Sequence, residues 1–152
     1  MSAQTSYSSS MDKCYHGQIG DIGPSDIVSK CVQTAAIGFG IAVSRGTLDN
    51  QITKGGDNTF FGVTVRSLDR EGTANTGAIT YAVGETAAVM RKGYIWLTLT
   101  TNAAVGSDLH YTDTTGVIDA GTASTSETIL AGATLETAVT SSQKLALVRL
   151  NY

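Results

Sequence analysis

The most reactive side chains in this sequence belong to two cysteines and two histidines. Cys14, His16 and Cys31 supply only three metal ligands, and their spacing is not that of a zinc finger. In the absence of a signal peptide, two free thiols are the simpler prediction for Cys14 and Cys31. His110 occupies an alternating position of a predicted strand with no nucleophile motif near it, so a packing or surface role is predicted for it.

Asp69 and Glu71 are the candidates in this sequence for a catalytic pair of carboxylates. Two such groups do acid–base chemistry when they converge in a cleft. Here they lie in a polar loop beside Arg70, where a solvated ion cluster is the more ordinary interpretation. A hydrolase on a β scaffold stays an alternative that needs carboxylates or histidines to converge in a pocket.

The segment Gly38-Phe39-Gly40 resembles part of a dinucleotide fingerprint. The full motif requires a third glycine at the right offset and a helix after it. Here Arg45-Gly46 ends the strand in a turn, so nucleotide binding is rejected. The sequence therefore predicts no catalytic residue, no cofactor, no metal and no enzyme activity.

Composition narrows the class of protein further. A chain of 152 residues suits one domain, and a charged fraction of 15% with 17 glycines favours strands and turns over helices. The net charge of −3 and pI of about 5.2 disfavour nucleic acid as a partner. The sequence shows no apolar run of the roughly 20 residues that cross a bilayer and no secretory signal, so we expect synthesis in the cytosol and no membrane partner.

The stretch from Glu85 to Leu99 organises the predicted fold. Arg91-Lys92-Gly93 reads as a tight turn between two strands, with Gly93 free to take a positive φ. After the turn, Ile95, Leu97 and Leu99 share one face and Tyr94, Trp96 and Thr98 share the other. Trp96 is predicted to lie in the core.

About ten short strands are predicted along the chain. They include one strand over Ile37–Ser44, another over Phe60–Ser67, a hairpin from Leu109 to Asp119 and a final strand over Lys144–Asn151. Their number and spacing are typical of β-sandwiches and barrels. We therefore predict an all-β, jelly-roll-like sandwich or barrel over residues 17–152, preceded by an extended N-terminal arm over residues 1–16.

The arm is rich in serine and carries two aromatic residues, Tyr7 and Tyr15. A polar segment of this kind is either disordered or able to order on a partner surface through its aromatic residues. The sequence leaves both interpretations open.

Several pieces of the sequence resemble structural cement proteins of tailed bacteriophages. The resemblance covers nearly the whole chain, and it lies in the joint order of strand and turn segments: Ser6–Lys13, Gly17–Ile19, Asp21–Asp26, Phe39–Gly46, Phe61–Ser67, Arg91–Trp96, Asp113–Asp119 and Leu147–Leu150. No single one of these motifs is specific.

The resemblance implies a virion protein that binds the outer surface of a capsid, bridges major capsid protein subunits and stabilises the shell. It also implies a jelly-roll-type fold, a homodimer with a trimer as the alternative, and synthesis in the cytoplasm of a bacterial host. The candidate capsid contacts are Tyr7, Tyr15, Arg66, Asp69, Arg70 and Tyr94. The alternative function is a sugar- or host-binding β domain of a phage tail, which would expose Tyr94 and Trp96.

Overall fold

The computed structural model describes residues 14–56, 59–67 and 79–152, and these residues form twelve β-strands and no helix. The strands are β1 (Asp26–Val32), β2 (Ile37–Gly38), β3 (Ala42–Arg45), β4 (Gln51–Lys54), β5 (Phe60–Thr64), β6 (Thr80–Tyr81), β7 (Thr86–Thr98), β8 (Leu109–Thr112), β9 (Ile118–Ala120), β10 (Glu127–Ile129), β11 (Ala133–Leu135) and β12 (Leu145–Asn151). The predicted all-β class is confirmed. The described residues contain no helix that is long and apolar enough to cross a bilayer.

Five strands close into a barrel. They are hydrogen-bonded in the order β1-β4-β3-β5-β7, and a further pairing of β1 with β7 completes the ring. All of these pairs are antiparallel except β1 with β4. Each of the five strands places an apolar side chain in one buried cluster, which fills the barrel: Val32, Ile52, Val43, Phe61, Ala87 and Val89. This is the barrel form of the predicted architecture.

Strand β7 is the longest element, with 13 residues, and it corrects the predicted hairpin. The chain does not turn at Arg91-Lys92-Gly93 but continues as one strand. Its first half pairs with β1 from Thr86 to Lys92, and its second half pairs with β12 from Lys92 to Thr98. The strand therefore belongs both to the barrel and to the sheet beyond it.

Gly93 does adopt a positive φ, of 131°, but it uses this freedom inside the strand. A Cβ at this position would lie 3.0 Å from the Cβ of Ser25, so the glycine also allows a close approach of the chain before β1. Around it the buried face changes. Val89 points into the barrel cluster, whereas Met90, Ile95 and Leu97 belong to a second cluster.

The second cluster packs strands of the barrel, through residues such as Ala42 of β3 and Val63 of β5, against the rest of the described body. It combines Ile95, Leu97 and Leu99 with β12, and with the three-stranded sheet of order β10-β8-β9. The predicted face of these three residues is thus confirmed, since all are fully buried. Trp96 on the opposite face is half-buried and belongs to neither cluster, contrary to the predicted core position.

The predicted strand over Ile37–Ser44 is broken in two. Gly40 has a φ of 63° and lies in a turn between β2 and β3. A Cβ at Gly40 would overlap the imidazole ring of His16, so the turn brings the backbone against that side chain. The predicted hairpin from Leu109 to Asp119 is present, since β8 pairs with β9 around the turn at Asp113–Gly116.

Candidate functional site

Three of the six candidate contact residues, Tyr15, Arg66 and Tyr94, lie in the part of the chain that the structure describes. The other three, Tyr7, Asp69 and Arg70, lie outside the described residues, as does Glu71. The acid–base pair considered for Asp69 and Glu71 is therefore not placed.

The structure brings Tyr15 and Arg66 together. The guanidinium carbon of Arg66 lies 5.0 Å from the centroid of the Tyr15 ring and 5.5 Å from that of Phe39. The backbone N–H of Arg66 donates to the carbonyl of Gly17 at 2.7 Å, which fixes the two segments against each other. The Tyr15 side chain is 55% exposed and presents an aromatic surface backed by a cation.

The segment after Tyr15 lies along the free edge of the second half of β7. Gly17 donates to the Trp96 carbonyl, Trp96 donates to the Gln18 carbonyl, and these bonds are 2.7 and 2.8 Å long. The N–H of Gly20 then donates to the carbonyl of Tyr94 at 2.7 Å. The backbone of this segment thus acts as an added strand on β7 and connects the Tyr15–Arg66 contact to Tyr94.

His16 anchors this segment to the body. Its Nδ1 accepts a 2.9 Å hydrogen bond from the backbone N–H of Thr98, which requires Nδ1 to carry no proton. Burial lowers the pKa of His16, a backbone hydrogen bond at Phe39 opposes that shift, and the charge of Arg66 lowers the pKa further. We call Tyr15, His16 and Arg66 the arm root.

The arm root is where two further segments join the described body. Residues 1–13 precede Cys14, and residues 68–78 follow Ser67. Both junctions are one residue away from the Tyr15–Arg66 contact. Residues 1–13, which include Tyr7, and residues 68–78, which include Asp69 and Arg70, therefore join the described residues at the same part of the molecule.

Tyr94 lies on the face of β7 that the second cluster does not cover. It is half-buried, and Arg149 of β12 lies directly across from it in the sheet. Together they line a groove of about 330 Å³ with five other residues: Pro24, Lys92, Gly93, Leu150 and Asn151. Arg149 also pairs with Glu136, its Nε 3.3 Å from Oε1.

The described residues carry no arrangement that does recognisable chemistry. No group of three or more His, Cys, Asp or Glu side chains within them is placed to hold a metal ion. Cys14 and Cys31 form no disulfide, as predicted. His110 is buried, with its Nδ1 3.3 Å from the Gly121 carbonyl and its Nε2 3.6 Å from Glu127, which fits a packing role.

The carboxylate of Asp119 supports a loop. Burial raises the pKa of Asp119, but hydrogen bonds from Thr100, Thr101 and Ala120 lower it by more. Asp119 therefore ties the loop after β7 to β9, which is a structural function.

Sequence reasoning missed a cluster of positive charges at one end of the barrel. Lys30, Arg45 and Arg91 each lie close to the ring of Phe61, at 5.3, 4.9 and 5.2 Å from its centroid. The signal was present in the sequence. Lys30 falls on the inward-facing register of β1, between two valines that pack on the barrel cluster.

Comparison with known proteins defines the class first. A chain in a solved structure, "The capsid of Myoviridae Phage XM1", superposes with a TM-score of 0.73 at 15% sequence identity. The alignment covers 99% of this chain and 98% of that one. This chain therefore shares the fold of that chain. No curated protein matches its sequence.

The family follows from the sequence itself. The family described as "Structural cement protein (E217 gp24/Pam3 gp6)" matches residues 3–151. The chain belongs to this family of phage cement proteins, and its role is that of a structural component of the phage capsid. The resemblance noted in the sequence is confirmed.

Proposed function

We propose that this protein binds the outer surface of an assembled phage capsid, bridges neighbouring major capsid protein subunits and stabilises the shell. The observation that carries the proposal is the arm root. An exposed tyrosine ring stacked on Arg66 lies where residues 1–13 and residues 68–78 both join a closed β body.

The mechanism follows from this arrangement. The closed barrel supplies the base, and we propose that residues 1–13 and 68–78, which join it at the arm root, contact different capsid subunits. Several modest contacts then add up through effective concentration. A protein that binds only the assembled shell stabilises that state by mass action.

The contact residues are proposed accordingly. Tyr7 and Tyr15 of the arm, with Arg66, Asp69 and Arg70 of the neighbouring loop, make the main contact. Tyr94 adds to this contact through the groove that it lines with Arg149. The carbonyl of Tyr94 accepts the hydrogen bond of Gly20, at the end of the segment that follows Tyr15. We further propose that the protein is made in the cytoplasm of the bacterial host and acts as a homodimer, which sedimentation equilibrium at micromolar concentration tests.

The decisive experiment is co-sedimentation of the purified protein with empty and with expanded capsids. We expect saturable binding that is lost when residues 1–13 are deleted. Binding that survives the deletion moves the contact to the β body. No binding to any capsid form contradicts the proposal and favours a glycan- or host-binding function.

Single variants locate the contact within the arm root. Tyr15→Ala removes an exposed aromatic ring, and we expect it to weaken capsid binding about tenfold, as for an interface anchor. Val105→Ala is the control, because Val105 is similarly exposed, at 60%, and lies between β7 and β8, outside both proposed contacts. Equal losses in the two variants would contradict the assignment of the arm root.

A further inference from the structure

The positively charged side chains around Phe61 lie on strand faces whose neighbouring residues are apolar and belong to the barrel cluster. Arg45 comes two residues after Val43, and Arg91 two residues after Val89, and both valines belong to the barrel cluster. Lys30 lies on the same face of β1 as Val32. Three strands of the ring therefore direct a cation toward one mouth of the barrel.

These charges lie close together, and the Nζ of Lys30 donates a 2.5 Å hydrogen bond to the carbonyl of Asp49. Any two of them are within about 10.5 Å of each other, because all three approach one ring. Among the described residues, Asp26 is the one acidic side chain in ion-pair contact with them, 3.5 Å from Arg91. The Nε atom of Arg91 is buried without a hydrogen-bond partner in the described part of the chain.

Packing against the ring of Phe61 accounts for a cation at this position but not for the presence of three. Its ring is only 4% exposed, and the aliphatic stems of Lys and Arg cover such a ring well. One cation at the ring face would gain the cation–π attraction. Three cations in a chain of net charge −3 repel one another, and Arg45 remains exposed to solvent.

We propose that this cationic mouth, formed by Lys30, Arg45 and Arg91, is a docking site for an acidic segment of the capsid protein. The inference rests on the proposed capsid binding and adds a second contact, separate from the arm root. Carboxylates two residues apart on an extended strand are about 7 Å apart on one face, a separation below the upper limit of about 10.5 Å on the distance between any two of the cations. Guanidinium groups bind carboxylates through paired hydrogen bonds.

Charge favours a protein segment over nucleic acid as the occupant. A nucleic-acid site follows the backbone with a broad basic surface. This mouth gathers three of the ten basic residues of an acidic chain in one small area. It fits two or three carboxylates, and its flanking ionic contact is already a carboxylate, that of Asp26.

Co-sedimentation with capsids at 50 and 300 mM NaCl tests the proposal. We expect Arg45→Gln to weaken binding roughly two- to fivefold, as for a partly exposed ion pair, and the Lys30→Gln/Arg45→Gln double variant to show a weaker salt dependence than the wild type. Lys144→Gln is the matched control, since its ammonium group hydrogen-bonds to Thr100 and Asn102, away from the mouth. Variants that bind like the wild type, with the same salt dependence, overturn the proposal.

A second measurement separates this inference from capsid binding itself. Wild-type protein that fails to sediment contradicts the proposed function, and NMR titration then decides the site. We expect a (Glu-Thr)₃ peptide, but not (Gln-Thr)₃, to shift the amide signals of Lys30, Arg45 and Arg91, and Arg45→Gln to weaken the effect. No shift, or equal shifts with both peptides, would falsify the acidic-segment site. A single-stranded oligonucleotide that binds there more tightly than the peptide would replace it with a phosphate site.

Discussion

The two halves of β7 are held in different ways. From Thr86 to Lys92 the strand forms part of the barrel wall, paired with β1 on one edge and with β5 on the other. From Lys92 to Thr98 it pairs with β12 on one edge, while residues 17–20 occupy the other with only a few hydrogen bonds. The first half belongs to a rigid frame, and the second half carries the attachment of the arm.

The difference shows how one strand serves two purposes. A closed ring leaves no free edge for unwanted pairing. The second half leaves an edge open, and the chain's own N-terminal segment fills it. Changes in the first half should therefore unfold the protein, whereas changes in the second should loosen the arm root while the barrel stays intact.

Substitution at the junction of the two halves should have the largest effect. Gly93→Ala places a Cβ on a backbone with φ of 131° and only 3.0 Å from Ser25. We expect a loss of about 2–3 kcal/mol in the free energy of unfolding, measured by urea denaturation. Gly84→Ala is the control, because Gly84 has a φ of 84° but no neighbour within 4 Å, so only backbone strain of about 1 kcal/mol applies. Equal costs would show that the junction is not crowded.

Acid should weaken the second half selectively through His16. The pKa of His16 is lowered in the folded protein from its ordinary value of 6.5, chiefly by burial, so the unfolded state binds the proton more tightly. The stabilisation is complete above pH 6.5 and declines as the pH falls, by at most about 1.4 kcal/mol per pH unit. Urea unfolding and hydrogen exchange of the Thr98 amide between pH 7 and 5.5 measure this loss.

The matched variant for the pH experiment is His16→Gln. Its amide oxygen can accept the Thr98 hydrogen bond but does not titrate in this range. We expect the pH dependence to shrink and the Thr98 amide to stay protected in acid. A wild-type and a variant protein with the same pH profile would assign the titration to another group.

The smallest effects should come from two surface ion pairs. The Asp26–Arg91 pair lies at the first half of β7, and the Glu136–Arg149 pair lies on β12 and the chain after β11, beside the second half. Glu136→Gln removes the partner of Arg149, an exposed pair whose loss should cost less than about 0.5 kcal/mol. Asp26→Asn removes the counter-charge of Arg91 in the cationic mouth, and we expect about 1 kcal/mol at low salt. Thermal unfolding at 20 and 500 mM NaCl compares them. If the loss of stability in Asp26→Asn is the same at both salt concentrations, the idea that the cations of the mouth repel one another is contradicted.

The sequence predicted the strands better than their connections. Alternation of apolar and polar residues located the buried face of Ile95, Leu97 and Leu99, since that pattern depends only on local geometry. The predicted turn at Gly93 was wrong because a glycine after two charged residues is compatible both with a turn and with a continuous strand. Only the long-range pairing of β7 with β1 and β12 distinguishes the two.

The candidate site shows the same limit. Tyr15 and Arg66 were each singled out by residue type and position, but their contact joins residues about 50 positions apart. The cationic mouth was missed because its members come from three strands whose order in the ring is set by the closure of the barrel. His16 was weighed as a metal ligand, yet its partner is the backbone of Thr98, about 80 residues away.

Closure of the barrel has a consequence for the timing of folding. The ring is complete only when β1 meets β7, whose paired residues lie about 60 positions apart along the chain. Such distant contacts slow folding, because the entropy of closing the loop is lost before the contacts form. Residues 16–20 attach to β7 residues that become available only with that strand in place. Residues 16–20 can therefore take the place that the structure shows only after the ring has closed, so the arm root is among the last parts of the molecule to form.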